Sequence, residues 1–185
     1  MDPRKDAAME TSMLTGGAGQ VGSYLDQRQG LARDAVYQAS LMLDEQRWND
    51  WLALCAEDFT YDIKSWSPEI NYDMTYLHAS RKDLDSLIRL LPKHNTDHSP
   101  LTRHTSVYTV ELSSDGTTAQ VISSVVIFQH LLDGTNSHID SGESRLFLVG
   151  KYYDQLRFEE GAVKFTAREL RLLNRRLDKG SHWPL

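Results

Sequence analysis

RHTSVYTVEL (103–112), AQVISSVVIFQHLL (119–132), SRLFLVGKYYDQLRF (144–158) and VKFTARELRLL (163–173) decide the fold of this 185-residue chain. Each run is rich in Val, Ile, Tyr, Phe and Thr, residues that suit a pleated, half-buried surface. Asp115-Gly116, Asp133-Gly134 and Gly161 stand between the runs as turn signals. Three successive hairpin connections predict an antiparallel meander of four strands. The strands exceed the usual length of about five or six residues, which predicts strong curvature, with Gly142 and Gly150 as bulge or bend positions.

Upstream the period changes. From Tyr24, the residues Leu25, Ala32, Val36, Ala39 and Leu43 share one helical face, with Gly30 weakening the first turns. Trp48, Trp51, Leu52 and Cys55 predict a second, short helix, and its tryptophans read as core packing rather than a cofactor box. DFTYDIKSW (58–66) alternates, with Phe59, Tyr61 and Ile63 on one face, and predicts a strand. Ser67-Pro68 breaks it, and Ile70–Met74 reads as a bent partner. Ser80 is a helix N-cap with Asp83 as an imperfect capping box, Leu84, Leu87, Ile88 and Leu91 form the apolar stripe, and Pro92 stops the helix. Helices followed by a large antiparallel sheet give the α+β class. The order resembles the cystatin-like cone shared by nuclear transport factor 2 and ketosteroid isomerase, a fold that hosts enzymes, adaptors and structural subunits.

The length predicts one domain. We place it at 23–185, ending in a docking tail, behind a flexible N-terminal arm over 1–22. That arm is small, polar and glycine-rich; its GGAGQVG follows no strand and lacks the Lys-Ser/Thr of a phosphate loop, so it reads as a linker. Hydrophobic residues make up 40% and charged residues 25%, and the net charge is -6. Such a chain lacks the basic surface of a general nucleic-acid or anionic-membrane binder. It has no run of eighteen apolar residues and no signal-peptide core, so a cytoplasmic location is expected. The lone Cys55 excludes an intrachain disulfide and a cysteine-based zinc or iron–sulfur site.

Several clusters invite chemistry. PKHNTDHSPLTRH (92–104) carries His94, Asp97, His98 and His104, good metal ligands by type. Their spacing crosses a loop with two prolines, so a solvated loop with a structural Arg103-His104 pair is the preferred reading. Asp58, Tyr61, Asp62, His104 and Asp140 are candidates for acid–base isomerisation or dehydration in a cone. Which of them point inward is open, because a one-residue slip swaps faces. No GxSxG-like elbow presents a nucleophile, and Cys55 reads as an inert core residue. Lys164, Arg168, Arg171, Arg175, Arg176 and Lys179 form either a solvated face or a partner surface whose guanidinium groups meet carboxylates of another subunit. The closing Ser181-His182-Trp183-Pro184-Leu185 adds an apolar end that gains from docking.

Three stretches resemble the small (β) subunit of Rieske-type ring-hydroxylating oxygenases. In ASLMLDEQRWNDWLALCAEDFTYDI (39–63), Leu43, Asp44, Arg47, Trp48, Trp51, Leu52, Glu57, Asp58 and Tyr61 fit that family's helix-to-strand pattern. Ser99-Pro-Leu-Thr-Arg-His104 is similar to its entry into the long sheet. FTARELRLLN (165–174) is similar to its arginine-rich last strand, with Asn174 where aspartate is common. The segment IKSWSPEINYDMTYLHAS (63–80) is more similar to the methanesulfonate monooxygenase branch. The resemblance spans roughly 24–180. It implies a cystatin-like cone that assembles with large α subunits, typically as α3β3. It also implies that the α subunit carries the Rieske [2Fe–2S] cluster and the mononuclear iron, while the β subunit holds neither and is structural. A Rieske centre needs two cysteines and two histidines, and one cysteine cannot supply it. The expectation is therefore a non-catalytic scaffold subunit with no catalytic, cofactor or metal residue of its own. Its partners are the large subunit and other copies of itself, and its contacts are expected at Arg103, His104, Arg171, Arg175 and Trp183. The alternative is a stand-alone cone-fold isomerase, dehydratase or small-molecule-binding protein.

Overall fold

A computed structural model describes residues 3–93, 99–132, 142–175, 177 and 184–185, with side chains from residue 22 onward. The elements run α1 (Pro3–Asp44), α2 (Trp48–Ala53), β1 (Cys55–Ser67), β2 (Tyr72–Ser80), α3 (Arg81–Leu90), β3 (Leu101–Leu112), β4 (Thr118–His130), β5 (Ser144–Glu159) and β6 (Ala162–Leu172). A short 3-10 turn, Leu91–Lys93, follows α3 at Pro92. Helix α1 begins at Pro3, where the sequence reading put an arm over 1–22. Ala, Met, Glu, Leu and Gln in that stretch favour a helix, and interior glycines weaken one without forbidding it.

The strands form one sheet in the order β2-β1-β6-β5-β4-β3. The meander β3–β6 is antiparallel throughout, as its turn signals require. The sheet as a whole is mixed rather than antiparallel, because β1 pairs with β6 in parallel. The reason is topological. After the β1–β2 hairpin and α3, the next strand, β3, lies at the opposite edge of the sheet, and the meander then returns strand by strand until β6 meets the free side of β1. Asn71, at φ 50, turns the hairpin in the left-handed region and delays β2 to Tyr72.

One face of the sheet holds the core. Ala32, Val36, Ala39 and Leu43 of α1 are buried with Phe59, Tyr61, Val125, Ile127, Leu148, Tyr152 and Leu170. Helix α1 lies against β3 and α3 against β1 and β2. Trp51 packs edge-on to both Phe59 and Tyr61 at 6.3 Å, the core role expected of it. Cys55 is buried as expected, but as the first residue of β1 rather than the end of a helix. The Ser80 box is complete: Ser80 Oγ accepts from Asp83 N and Asp83 Oδ2 accepts from Ser80 N at 2.9 Å. The sheet bends at bulges between Ile63/Lys64, Val107/Thr109, Ile127/Phe128 and Gln155/Leu156. Gly150 is not one of them. It stands in register between Val125 and Leu172, and a Cβ there would meet the Arg171 carbonyl oxygen at 2.7 Å. Close approach of the neighbouring backbone, not a bend, requires glycine at that position.

Candidate functional site

The inner face of the sheet carries a buried ion pair. Arg168 of β6 donates from Nε and Nη2 to the two Asp154 oxygens at 2.7 and 2.9 Å. Both side chains are out of reach of water, 1% and 0% exposed. The guanidinium also lies over the rings of Tyr152 and Phe165, at 4.2 and 4.8 Å. The expectation that Arg168 belongs to a surface cluster is thus corrected. The cause is the bulge that passes Thr166: Leu156 pairs with Phe165 but Gln155 with Ala167. That extra residue resets the alternation, so Arg168, Leu170 and Leu172 follow Phe165 inward. Burial pushes the Asp154 carboxyl above its ordinary pKa, and Arg168 opposes that shift. The bidentate geometry is that of an ionised pair.

Arg103 also turns inward, which corrects its expected place at a subunit contact. Its side chain is 0% exposed, and Nη1 meets Asp44 Oδ1 of α1 at 2.6 Å. The Arg103 backbone N–H donates to the same carboxylate, and Nη2 donates to the Pro184 carbonyl at 2.9 Å. Tyr61 donates to the Leu185 backbone oxygen at 2.6 Å and accepts from the Leu185 N–H at 3.0 Å. Leu185 is fully buried. Burial raises the Tyr61 phenol well above its ordinary pKa, with Tyr152 adding to the shift.

Among the described residues the proposed acid–base set is not assembled: of Asp58, Tyr61, Asp62 and His104, Tyr61 alone enters the cone. Asp58 lies outside, forked to Arg157 at 3.0 and 3.1 Å, which holds its carboxyl below the ordinary pKa. Asp62 sits on the outer face against His78 at 2.7 Å. His104 is exposed on the edge strand β3, with Phe128 edge-on at 5.8 Å. Asp140, His94, Asp97 and His98 lie outside the described residues, as do Arg176, Lys179 and Trp183. Among the described residues, no three His, Cys, Asp or Glu side chains converge as metal ligands.

The outer face is open and charged. A groove of about 650 Å³ crosses β1, β6, β5 and β4, lined by Thr60, Asp62, Gln120, Tyr153, Gln155 and Glu169 among others. An ion ladder runs along it. Lys64 bridges Asp62 at 3.5 Å and Glu169 at 2.9 Å, and Arg171 links Glu169 to Asp73 with a forked contact at 3.0 and 3.2 Å. Arg175, beyond β6, grips Glu69 at 2.8 Å, and this holds the Glu69 carboxyl down at about 2. Arg171 and Arg175 are therefore on the surface as expected, but each already has a carboxylate within the chain. Trp66 follows on the same outer side of β1, paired with Asp73, and is 47% exposed. An exposed aromatic beside fixed charges suits contact with another protein. Hydropathy gave no signal for this ladder, because its members come from three strands whose register only the fold supplies.

A model of the SnoaL-like domain matches residues 29–169. The chain is 71% identical over 153 residues to the methanesulfonate monooxygenase hydroxylase subunit beta of Methylosulfonomonas methylovora, covering 83% of this chain and 84% of that one. It is 25% identical to the 2-aminobenzenesulfonate 2,3-dioxygenase subunit beta of an Alcaligenes species, covering 81% of this chain and 94% of that one. A solved structure described as the beta subunit of an aromatic-ring-hydroxylating dioxygenase of Novosphingobium aromaticivorans superposes with a TM-score of 0.68 at 21% identity, over 91% of this chain and 99% of that one. The cystatin-like, nuclear transport factor 2-like cone expected from the element order is the fold observed.

Proposed function

Because the chain belongs to the SnoaL-like domain family and, within it, to the β subunits of multicomponent oxygenases, we propose that it is the structural small subunit of a sulfonate-oxidising hydroxylase. The observation that carries this reading is the 71% identity to the methanesulfonate monooxygenase hydroxylase β subunit. The names of both relatives contain a sulfonate, which supports that substrate class for the assembled enzyme.

The residues of this chain do not fit the iron–sulfur group such an enzyme uses. A Rieske cluster takes two cysteine and two histidine ligands. Here the only cysteine is Cys55, and burial pushes its thiol up to about 12. In the proposal the cluster and the mononuclear iron sit in a large α subunit, and three copies of each chain assemble as α3β3 in the cytoplasm. The chain's part is mechanical. It offers a rigid sheet whose outer charges are fixed by neighbours, so little side-chain order is lost on docking.

Co-expression with the large-subunit gene tests this. The expected result is co-elution of the two chains as one large particle, with iron in that particle and substrate-dependent oxygen uptake on methanesulfonate. A stable small chain that never associates with the large one overturns the proposal.

A further inference from the structure

Helix α1 lies against β3, the strand at one edge of the sheet. An edge strand turns the N–H and C=O groups of alternate residues away from the sheet, where another strand can take them. Here side chains of α1 take them instead. The Arg103 N–H donates to the Asp44 carboxylate at 2.9 Å, and the Val107 N–H donates to the Tyr37 hydroxyl at 3.4 Å. Between these, Ser40 Oγ meets Thr105 Oγ1 at 2.9 Å. The bulge between Val107 and Thr109 changes which residues turn outward, and Gln29 Nε2 then donates to the Val110 carbonyl at 3.4 Å. Arg28 reaches past the end of the strand to the Gly116 carbonyl.

The fit is one of period. Asp44, Ser40 and Tyr37 stand one helical turn apart, and they meet Arg103, Thr105 and Val107, every second residue of β3. From Gln29 to Asp44 the helix rises about 22 Å, and from Arg103 to Val110 the strand extends about 23 Å. Gln29, Tyr37, Ser40 and Asp44 fall within about 80° of the helix circumference, beside the buried face of Ala32, Val36, Ala39 and Leu43. Core burial alone asks nothing of that polar flank. The opposite edge is managed differently: β2 is short, carries Asp73 and His78, and meets its neighbour through a bulge. Strand β3 is longer and rich in Thr and Val, the kind of strand that accepts another at its side.

We propose that the outer edge of β3 is a strand-pairing surface for β3 of a second copy of this chain, and that α1 holds it shut. Two identical strands related by a half-turn pair antiparallel, so the bared edge is its own partner. The proposal does not depend on the large-subunit reading, since every closing contact lies within one chain.

The test uses the full chain with Gln29→Gly, Tyr37→Gly and Ser40→Gly together. These remove three contacts and weaken the helix, while Asp44 stays on Arg103. The Val107 amide is expected to exchange at least tenfold faster than in the unaltered chain. By light scattering, the size of the variant is expected to grow with concentration over a range in which that of the unaltered chain stays constant. Adding Val107→Pro, which deletes the outward N–H, is expected to abolish that growth. A folded variant whose size matches the unaltered chain at every concentration, or growth that persists with the proline, overturns the proposal. If the variant does not fold, amide exchange of the unaltered chain in rising denaturant decides. The Val107 amide is expected to open together with the amides of α1, with the same denaturant slope. A Val107 amide that opens while α1 stays protected overturns the proposal.

Discussion

Arg168 and Asp154 hold opposite charges where water does not reach. Removing one partner strands the other, so Asp154→Ala is expected to cost about 3–5 kcal/mol, read from the urea midpoint. Replacing both, as Arg168→Met with Asp154→Leu, is expected to cost clearly less, because no buried charge is left alone. Cys55 offers a second test. Its thiol titrates at about 12 when folded, against 9.0 as its ordinary value. The folded state thus keeps a proton that the unfolded state loses first. Stability is therefore full below about 9 and falls as pH rises toward 12. Cys55→Ala is expected to make that alkaline decline shallower, measured by melting temperature against pH, with Tyr61 and Tyr152 supplying what remains of it. Glu69 works in the opposite sense: its folded value is depressed to about 2 from 4.5, so its contribution is present above 4.5 and lost as pH falls toward 2. At this scale the sequence was only partly legible. Although which face of β1 turns inward was open, Tyr61 read correctly as sharing a face with Phe59 and Ile63, and Cys55 read correctly as a core residue from its apolar pattern. Arg103 and Arg168 did not, because charge argues for the surface and the bulge at Thr166 is invisible until Asp154 is found opposite.

Elements were far easier to read than residues. Each strand of the meander announced itself by composition and by the glycine or aspartate at its turn, and helix α3 by its cap. The cap is worth testing: Ser80→Ala is expected to cost about 0.5–2 kcal/mol, measured by chemical denaturation. Gly150→Ala probes β5 in the other direction. Its Cβ would press on the Arg171 carbonyl and on Leu170 Cδ1 at 2.9 Å. The expected loss is about 1–3 kcal/mol, larger than helix or strand propensity alone explains. Missing from the sequence was the partnership of β1 with β6. Both runs are apolar on one face, but nothing local in either states which neighbour it takes or in which sense.

For the whole molecule, charge placement separates two roles. The acidic chain uses its late basic residues on itself: Arg168 on Asp154, Arg171 on Asp73 and Glu169, Arg175 on Glu69. Arg175→Ala is accordingly expected to leave the urea midpoint nearly unchanged, since the pair is exposed. A much larger loss in affinity for the large subunit in a pull-down titration would place Arg175 at that contact. An unchanged affinity would remove it from the contact. The family resemblance was legible from the Leu43–Leu52 pattern, and the 71% relative bears it out. The burial of Leu185 within its own chain was not legible, because the closing apolar residues predict docking without saying onto what.

The parallel pairing of β1 with β6 also has a consequence for how the protein is made. Ser65 of β1 donates to the Leu172 carbonyl, 107 residues further along. On the ribosome, β1 and β2 emerge early and wait with one side of β1 unsatisfied while the rest of the meander is still being synthesised. Such a nascent hairpin is an open template for wrong pairing, and so much long-range contact slows folding. The protein is therefore one whose yield should depend on translation speed and chaperone supply during that interval.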